Sequence, residues 1–194
     1  MIEVLTTFHK AGWEQYGKRM VETFLQHWPS DINIHLYCEN VETGIKHPRV
    51  IEHNIFQTCP PLTDFISQHN NQHNNGIRNG ERDFKYDAIK FCYKVFAQCH
   101  RIRNSKANTL LFIDADTVTF AEPPIPELQK LLPEDHFTAY IGRPNNKKLP
   151  FTETGFIMYN LDHPNTLNFA DSFEDLYTTG KIFELEYQVD CFTY

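Results

Sequence analysis

The chain has 194 residues, of which 41% are hydrophobic and 14% aromatic, and a formal net charge of −7. This length and apolar content suit one domain with a substantial core, so we predict a single domain over residues 1–194. The acidic balance, without a block of like charge, excludes nucleic acid and anionic membrane surfaces as first-choice partners and favours metal cations. Because every apolar run is far shorter than the roughly 18 residues of a membrane span, we predict a soluble cytoplasmic protein without one.

The five cysteines are scattered along the chain and never form a Cys-x-x-Cys pair. An odd number of dispersed cysteines indicates reduced thiols in a cytosolic protein, and argues against a disulfide framework or a zinc site.

The first forty residues predict a β-α-β unit. A short β-prone run at 2–7 is followed by apolar residues at helical spacing from Tyr16 to Trp28, and 32–37 alternates like a second strand. This order of elements is the unit of a parallel sheet.

Residues 42–82 predict the least structured part of the chain. The segment is polar, with a weak strand near 50–56, and it becomes rich in Asn and Gly towards its end. We predict a flexible polar loop near 68–82.

The remaining sequence predicts alternating helices and strands. Helical periodicity runs through 84–102, and a buried-type strand follows at 109–113. A short helix at 126–132, strands near 137–141 and 156–161 and a last helix at 166–179 complete the pattern. We therefore predict an α/β fold with a Rossmann-like, mainly parallel sheet flanked by helices.

Two aspartates, Asp114 and Asp116, follow the buried strand directly in TLLFIDADTVTF, residues 109–120. Ligands of open α/β sheets collect at the carboxyl ends of strands. Two neighbouring carboxylates repel each other unless a hard divalent cation bridges them, and oxygen ligands suit Mn²⁺ or Mg²⁺. We predict that Asp114 and Asp116 bind such a metal; the alternative is that they only cap the turn after the strand.

Two enzyme families share this signature. FIDADTVTF resembles the first motif of haloacid-dehalogenase-like phosphohydrolases, in which Asp114 would be the nucleophile, and it resembles the DxD motif of metal-dependent A-type glycosyltransferases. In the phosphohydrolases the motif follows the first strand, whereas here a β-α-β unit precedes it and no later Asp-Asp segment completes the site. We prefer the glycosyltransferase, with the phosphohydrolase and a catalytically weak nucleotide-sugar-binding domain as alternatives.

Further stretches resemble the A-type glycosyltransferases, especially their glycogenin-like and capsular or phage-type branches. They are TTFHKAG (6–12), the helix FKYDAIKFCYKVFA (84–97), FTETGFIMYNLDHP (151–164) and ELEYQVDCF (184–192). The resemblance implies a hexosyltransferase that moves a sugar from a UDP- or GDP-linked donor to a carbohydrate or another hydroxyl-bearing acceptor. The loop near 68–82 is then expected to order over the bound donor.

The resemblance also implies residue roles. Asp116 is expected to contact the metal most directly, while Asp114 reaches the donor's ribose, or reaches the metal through water. Lys94 is the expected helix-borne cation for the donor, with Lys90 as the alternative on the same helix face. The other expected donor-binding residues are Thr6, Thr7, Phe8 and Gly155.

Two carboxylates, Asp190 and Glu153, are expected to act as a catalytic base or to bind sugar hydroxyls, with Asp190 preferred. Glu39, at the end of the second predicted strand, is a candidate for ribose or base contact or else a solvated turn residue. Many family members place a third metal ligand, often His, after the acidic motif, but this sequence ends at Tyr194. We expect water and substrate, or an earlier residue, to complete the site, unless the sequence is a shortened form.

Overall fold

A computed structural model of the chain describes residues 1–142, 152–188 and 190. In chain order its elements are β1 (Ile2–His9), α1 (Lys10–Gly12), a π-helical segment (Trp13–Gly17), α2 (Lys18–His27), β2 (Asn33–Glu39), β3 (Val50–Asn54), α3 (Ile55–Thr58), α4 (Pro60–His69), β4 (Ile77–Arg78), β5 (Glu81–Arg82), a 3₁₀ turn (Phe84–Tyr86), α5 (Ala88–Asn104), β6 (Thr109–Ile113), α6 (Ile125–Lys130), β7 (Thr138–Ile141), β8 (Glu153–Asn160), α7 (Asn165–Thr178) and a 3₁₀ turn (Lys181–Glu184).

Six of these strands form one sheet in the order β3-β2-β1-β6-β8-β7. β1 pairs in parallel with β2 and β6, and β2 pairs in parallel with β3. β8 runs antiparallel to both β6 and β7, so the predicted mainly parallel sheet is confirmed, with an antiparallel edge. The strand order reverses direction between β1 and β6, which places a crevice at their carboxyl ends.

Helices cover both faces of the sheet because successive side chains of each strand point to opposite sides. Leu5 of β1 packs with α4, α5 and α7 in one buried cluster. Its neighbour Val4 packs with the π-helical segment and α2 in the other. The result is a three-layer α/β arrangement, as predicted.

The opening β-α-β unit is confirmed, but its helical part begins earlier than the sequence pattern indicates. The chain turns helical at Lys10, directly after β1, and passes through the π-helical segment before α2. A π-helical insertion rotates the side chains that follow it relative to a regular helix, and such insertions are frequent at functional sites. Here it brings Tyr16 close to the carboxyl end of β1.

Residues 42–82 contain more regular structure than predicted. The polar composition of this segment did not indicate α3 and α4. Pro60 and Pro61 form the first turn of α4, where a missing backbone N–H removes no helical hydrogen bond.

The segment 68–82, predicted as a flexible loop, forms the end of α4, a series of turns and the β4–β5 hairpin. The Asn74 side-chain amide donates to the His69 carbonyl oxygen at 2.8 Å and so closes a turn. Arg82 donates to Asp87, which caps the amino terminus of α5. The polar side chains of this segment therefore stabilise its turns by local hydrogen bonds. Composition alone does not reveal this role.

No helix among the described residues is both long and apolar enough to cross a lipid bilayer.

Candidate active site

A cavity of about 470 Å³ lies at the carboxyl ends of β1, β2 and β6, beside the first half of α5. It coincides with the crevice expected where the strand order reverses. Its lining residues are Thr7, Phe8, His9, Tyr16, Glu39, Phe84, Lys90, Phe91, Tyr93, Lys94, Asp114, Ala115, Asp116, Thr152, Glu153, Thr154 and Asp190. The fold thus brings together most of the residues that the sequence singled out.

The backbone around the aspartate pair is fixed by hydrogen bonds to β8 and within its own turn. The Asp114 N–H donates to the Gly155 carbonyl oxygen at 2.9 Å, and the Thr117 N–H donates to the Asp114 carbonyl oxygen at 3.0 Å. Within the described residues no backbone N–H donates to either side-chain carboxylate. The turn-capping alternative therefore finds no support, and both carboxylates face the cavity.

Lys94 joins two of the cavity's carboxylates. Its Nζ lies 3.1 Å from Asp114 Oδ1 and 3.0 Å from Asp190 Oδ2, and it sits 4.5 Å from the centre of the Phe112 ring. The Asp190 side chain is only 1% exposed and that of Lys94 11%. Lys94 was expected to face the donor, but its ammonium group forms ion pairs with protein carboxylates on both sides.

These contacts shift the ionisation of the groups involved. Burial lowers the pKa of Lys94, but the two ion pairs outweigh burial and leave the pKa raised. Burial raises the pKa of Asp114; Lys94 opposes this shift, while Asp190 and Asp116 add to it. Asp116 lies exposed at the mouth of the cavity.

Gly155, which was expected to approach the donor, lies against Asp114 and is not among the lining residues of the cavity. A Cβ atom at position 155 would lie 2.9 Å from Asp114 Oδ2 and 3.2 Å from Glu153 Oε1. The Gly155 N–H also donates to Glu153 Oε1 at 3.1 Å, which orients Glu153 at the cavity wall. Only glycine leaves both carboxylates where they stand.

At the end of β1, Thr7 and Phe8 line the cavity, but Thr6 does not. The Thr6 side chain is fully buried, and its Oγ1 has no hydrogen-bond partner among the described residues. Thr6 lies one residue further from the carboxyl end of β1 than Thr7, and it is not among the residues that line the cavity. Lys90 also lines the cavity, one turn before Lys94.

Several lining residues were not predicted, most of them aromatic: Tyr16, Phe84, Phe91 and Tyr93. The sequence signal for Tyr16, Phe91 and Tyr93 was helical periodicity, which does not distinguish a core side chain from one at a cavity. Glu39, considered only as a candidate, also lines the cavity, and burial raises its pKa to about 7. No described side chain donates a hydrogen bond to its carboxyl group.

The donor atoms near the aspartate pair suit a hard divalent cation. Asp114 and Asp116 offer carboxylate oxygens at the wall and mouth of an open cavity, which is the ligand type that Mn²⁺ and Mg²⁺ prefer. The described residues contain no group of three potential metal-ligating side chains, so a cation held here would need water or ligand oxygens as well.

No protein-family model matches the chain, and the search of curated proteins finds no significant match. The solved structures that share its fold include the following three. Mouse xyloside xylosyltransferase 1 gives a TM-score of 0.51 at 13% identity, with 97% of this chain and 84% of that chain covered. The WbbM bifunctional glycosyltransferase gives 0.53 at 13% identity, with 91% and 34% covered, and the glycosyltransferase GlyE of Streptococcus pneumoniae TIGR4 gives 0.56 at 13% identity, with 100% and 42% covered.

The chain thus spans less than half of the last two proteins and most of the first. Three structures whose names all denote glycosyl transfer do not favour the haloacid-dehalogenase alternative. Together with the six-stranded sheet and its strand order, the likeness shows that this chain has the fold of the A-type glycosyltransferases.

Proposed function

We propose that the chain is a metal-dependent glycosyltransferase that moves a hexosyl group from a UDP- or GDP-linked donor to a carbohydrate or another hydroxyl-bearing acceptor. The observation that carries the proposal is the position of Asp114 and Asp116 in one cavity with Lys94, Glu153 and Asp190, at the crevice of a glycosyltransferase fold. The three structural neighbours are named as glycosyltransferases, which supports this reaction class.

Breaking the bond between the sugar and the diphosphate places negative charge on the leaving phosphate oxygen. A Mn²⁺ or Mg²⁺ ion held by Asp114 and Asp116 would supply the neutralising charge. Within the chain, Lys94 adds a second positive charge at the same wall of the cavity. The aromatic side chains offer flat surfaces on which a base or a sugar ring can stack.

The two catalytic candidates differ in access. Glu153 is partly exposed and lines the cavity, so its carboxylate can meet a sugar or acceptor hydroxyl. Asp190 is almost fully buried and paired with Lys94. We therefore assign the hydroxyl-binding or base role to Glu153 first, and to Asp190 the positioning of Lys94, which reverses the preference drawn from the sequence.

Titration calorimetry with UDP and GDP, with and without Mn²⁺, tests the binding step. We expect metal-dependent binding of one of the two nucleotides, and a loss of at least about tenfold in affinity in Asp116→Asn, because half of the carboxylate pair is neutralised. Asp175→Asn is the matched control, since this exposed aspartate lies on α7 away from the cavity.

Release of UDP or GDP from the corresponding nucleotide sugar then tests turnover. Metal-dependent release that Asp116→Asn abolishes would support the transferase. Binding without any release would favour a nucleotide-sugar-binding domain, and phosphate release from a generic phosphoester without nucleotide binding would contradict the proposal.

A further inference from the structure

We propose that the Lys94 ammonium group, through its ion pair with Asp114 in the metal-free protein, competes with a divalent cation for that carboxylate. The inference rests on the proposed metal dependence and adds a competition between a residue of the chain and the metal. Lys94 is thereby assigned as a positioning residue that controls metal affinity.

The first step of the argument is the contact itself. Lys94 Nζ lies 3.1 Å from Asp114 Oδ1, which is a hydrogen-bonding ion-pair distance. A divalent cation bound to the same oxygen at about 2.1 Å would lie only a few ångströms from this ammonium group, and the two positive charges would repel strongly in a partly buried site. The ammonium group and a cation would therefore compete for Asp114.

The second step is that Lys94 has a place to remain. Its other partner, Asp190, is 1% exposed and lies 3.0 Å from the same Nζ. Breaking an ion pair of a buried carboxylate is costly, so Lys94 is expected to keep its pair with Asp190 when a cation competes for Asp114. The flexible four-carbon side chain allows the ammonium group to shift without moving α5.

The third step concerns the other aspartate. Asp116 is exposed, and no described side chain pairs with it. In the metal-free protein Asp116 is thus the readily available member of the pair. The metal alone is expected to bind weakly, and to bind more tightly with a diphosphate, whose oxygens add ligands and offset the cost of displacing Lys94.

Calorimetric titration of the full chain with Mn²⁺ alone tests the competition. We expect Lys94→Met, which keeps the apolar stem and removes the charge, to lower the Mn²⁺ dissociation constant at least about fivefold. Lys94→Arg is expected to stay within about twofold of the wild-type value, because it retains a charge that can reach both carboxylates.

Lys90→Met is the matched control. Lys90 lies one turn earlier on α5 and lines the same cavity, but its ammonium group has no ion pair with Asp114. We expect a change below about twofold, since an exposed charge is screened by solvent and salt. An unchanged or weaker Mn²⁺ affinity in Lys94→Met, or equal tightening in Lys90→Met, would overturn the inference.

If Lys94→Met fails to fold because the ion pair between Lys94 and Asp190 is lost, the wild-type protein still decides the question. In a sample with ¹³C-labelled lysine, the Lys94 side-chain signal is identified as the one absent from Lys94→Arg. We expect it to move on titration with Mg²⁺ and to saturate together with the calorimetric signal. A stationary Lys94 signal while Mg²⁺ saturates the site would overturn the inference.

The outcome is separable from that of the proposed function. Metal-dependent release of nucleotide from a nucleotide sugar, with no effect of Lys94→Met on Mn²⁺ affinity, would remove this inference alone. Failure of the wild type to bind any nucleotide would contradict the proposed function, while the Mn²⁺ affinities of the two methionine variants would still test the competition.

Discussion

Gly155 is a residue whose missing side chain controls the position of two carboxylates. We predict that Gly155→Ala weakens Mn²⁺-dependent nucleotide binding about tenfold, because the new Cβ would lie 2.9 Å from Asp114 Oδ2 and force that carboxylate to move. Residue 155 lies in β8 and does not have a positive φ, so alanine fits the backbone. Calorimetry measures the affinity, and a melting temperature within a few degrees of wild type shows that the fold is kept. Unchanged affinity with a large loss of stability would contradict the prediction.

Glu39 is a second residue with a measurable consequence. Burial raises its pKa to about 7, so it gains negative charge as the pH rises through neutrality. The cavity already holds Asp114 and Asp116, and the ionised form of Glu39 would add to the repulsion of an anionic diphosphate. We predict that nucleotide affinity falls severalfold between pH 6 and pH 8, and that Glu39→Gln removes most of this dependence. Parallel pH profiles for the two proteins, measured by calorimetry, would refute the prediction.

A site residue could be predicted where the signal for it is local in the sequence, and not where its position depends on contacts between distant segments. Asp114 and Asp116 were predictable because a buried strand and its carboxyl end are local features of the sequence. Lys94 was placed on the right helix, but its pairing with Asp190 depends on the tertiary fold. Glu39 and Tyr16 reach the cavity only because β2 and the π-helical segment lie beside the end of β1, which no local pattern shows.

At the scale of elements, β1 and α5 are joined by a buried ion pair. Glu3 Oε2 accepts hydrogen bonds from Arg101 at 2.9 Å and 2.6 Å and from the Ser105 hydroxyl at 2.7 Å. We predict that Glu3→Gln lowers the free energy of unfolding by about 3 kcal/mol, because it leaves the buried guanidinium group without its counter-charge. Urea unfolding at pH 7 measures the change.

The control for this element is Glu22→Gln on α2. Glu22 faces Lys18 at 4.0 Å, and both side chains are more than half exposed. A surface pair of this kind contributes less than about 1 kcal/mol, so we expect little change in the same experiment. Equal effects of the two substitutions would show that the Glu3 pair has no special role in holding β1 against α5.

Helices and strands were predicted well where the hydrophobic pattern fits only one type of secondary structure. β6 was expected at 109–113 and is found there, and α7 begins one residue before its expected start. α4 was missed because the composition of its segment is polar, although Pro60 and Pro61 are compatible with a helix start. The sequence did not indicate the antiparallel direction of β8. Residues 143–151, which precede β8, show no pattern of a helix or strand that would identify the connection.

At the scale of the whole molecule, a group of histidines connects the sheet to α5. His53 Nε2 lies 2.9 Å from His35 Nδ1, and the His53 ring stacks on Tyr37 with centroids 4.5 Å apart. The Tyr37 hydroxyl is hydrogen bonded to His100 Nδ1 at 2.7 Å. Burial, together with the neighbouring His35, Arg101 and His100, lowers the pKa of His53 to about 4.

This cluster predicts that the fold weakens in acid. The unfolded chain protonates His53 near pH 6.5, whereas the folded chain does so only near pH 4, so the unfolded state binds more protons between these values. The stability that this residue contributes is therefore fully present above pH 6.5 and falls as the pH drops towards 4. Urea unfolding at pH 7, 6 and 5 should show a shallower decline in His53→Gln than in the wild type.

Comparing the pH dependence of the free energy of unfolding in wild type and His53→Gln separates the effect of His53 from that of Glu39. The raised pKa of Glu39 changes stability with pH in the opposite direction. Glu39 is protonated in the folded chain up to about pH 7 but only up to about 4.5 when unfolded, so its contribution is present below 4.5 and lost as the pH rises through 7. His136→Gln is the control, since this side chain is 62% exposed. A wild-type slope retained in His53→Gln, or removed equally by His136→Gln, would show that acid sensitivity arises elsewhere in the molecule.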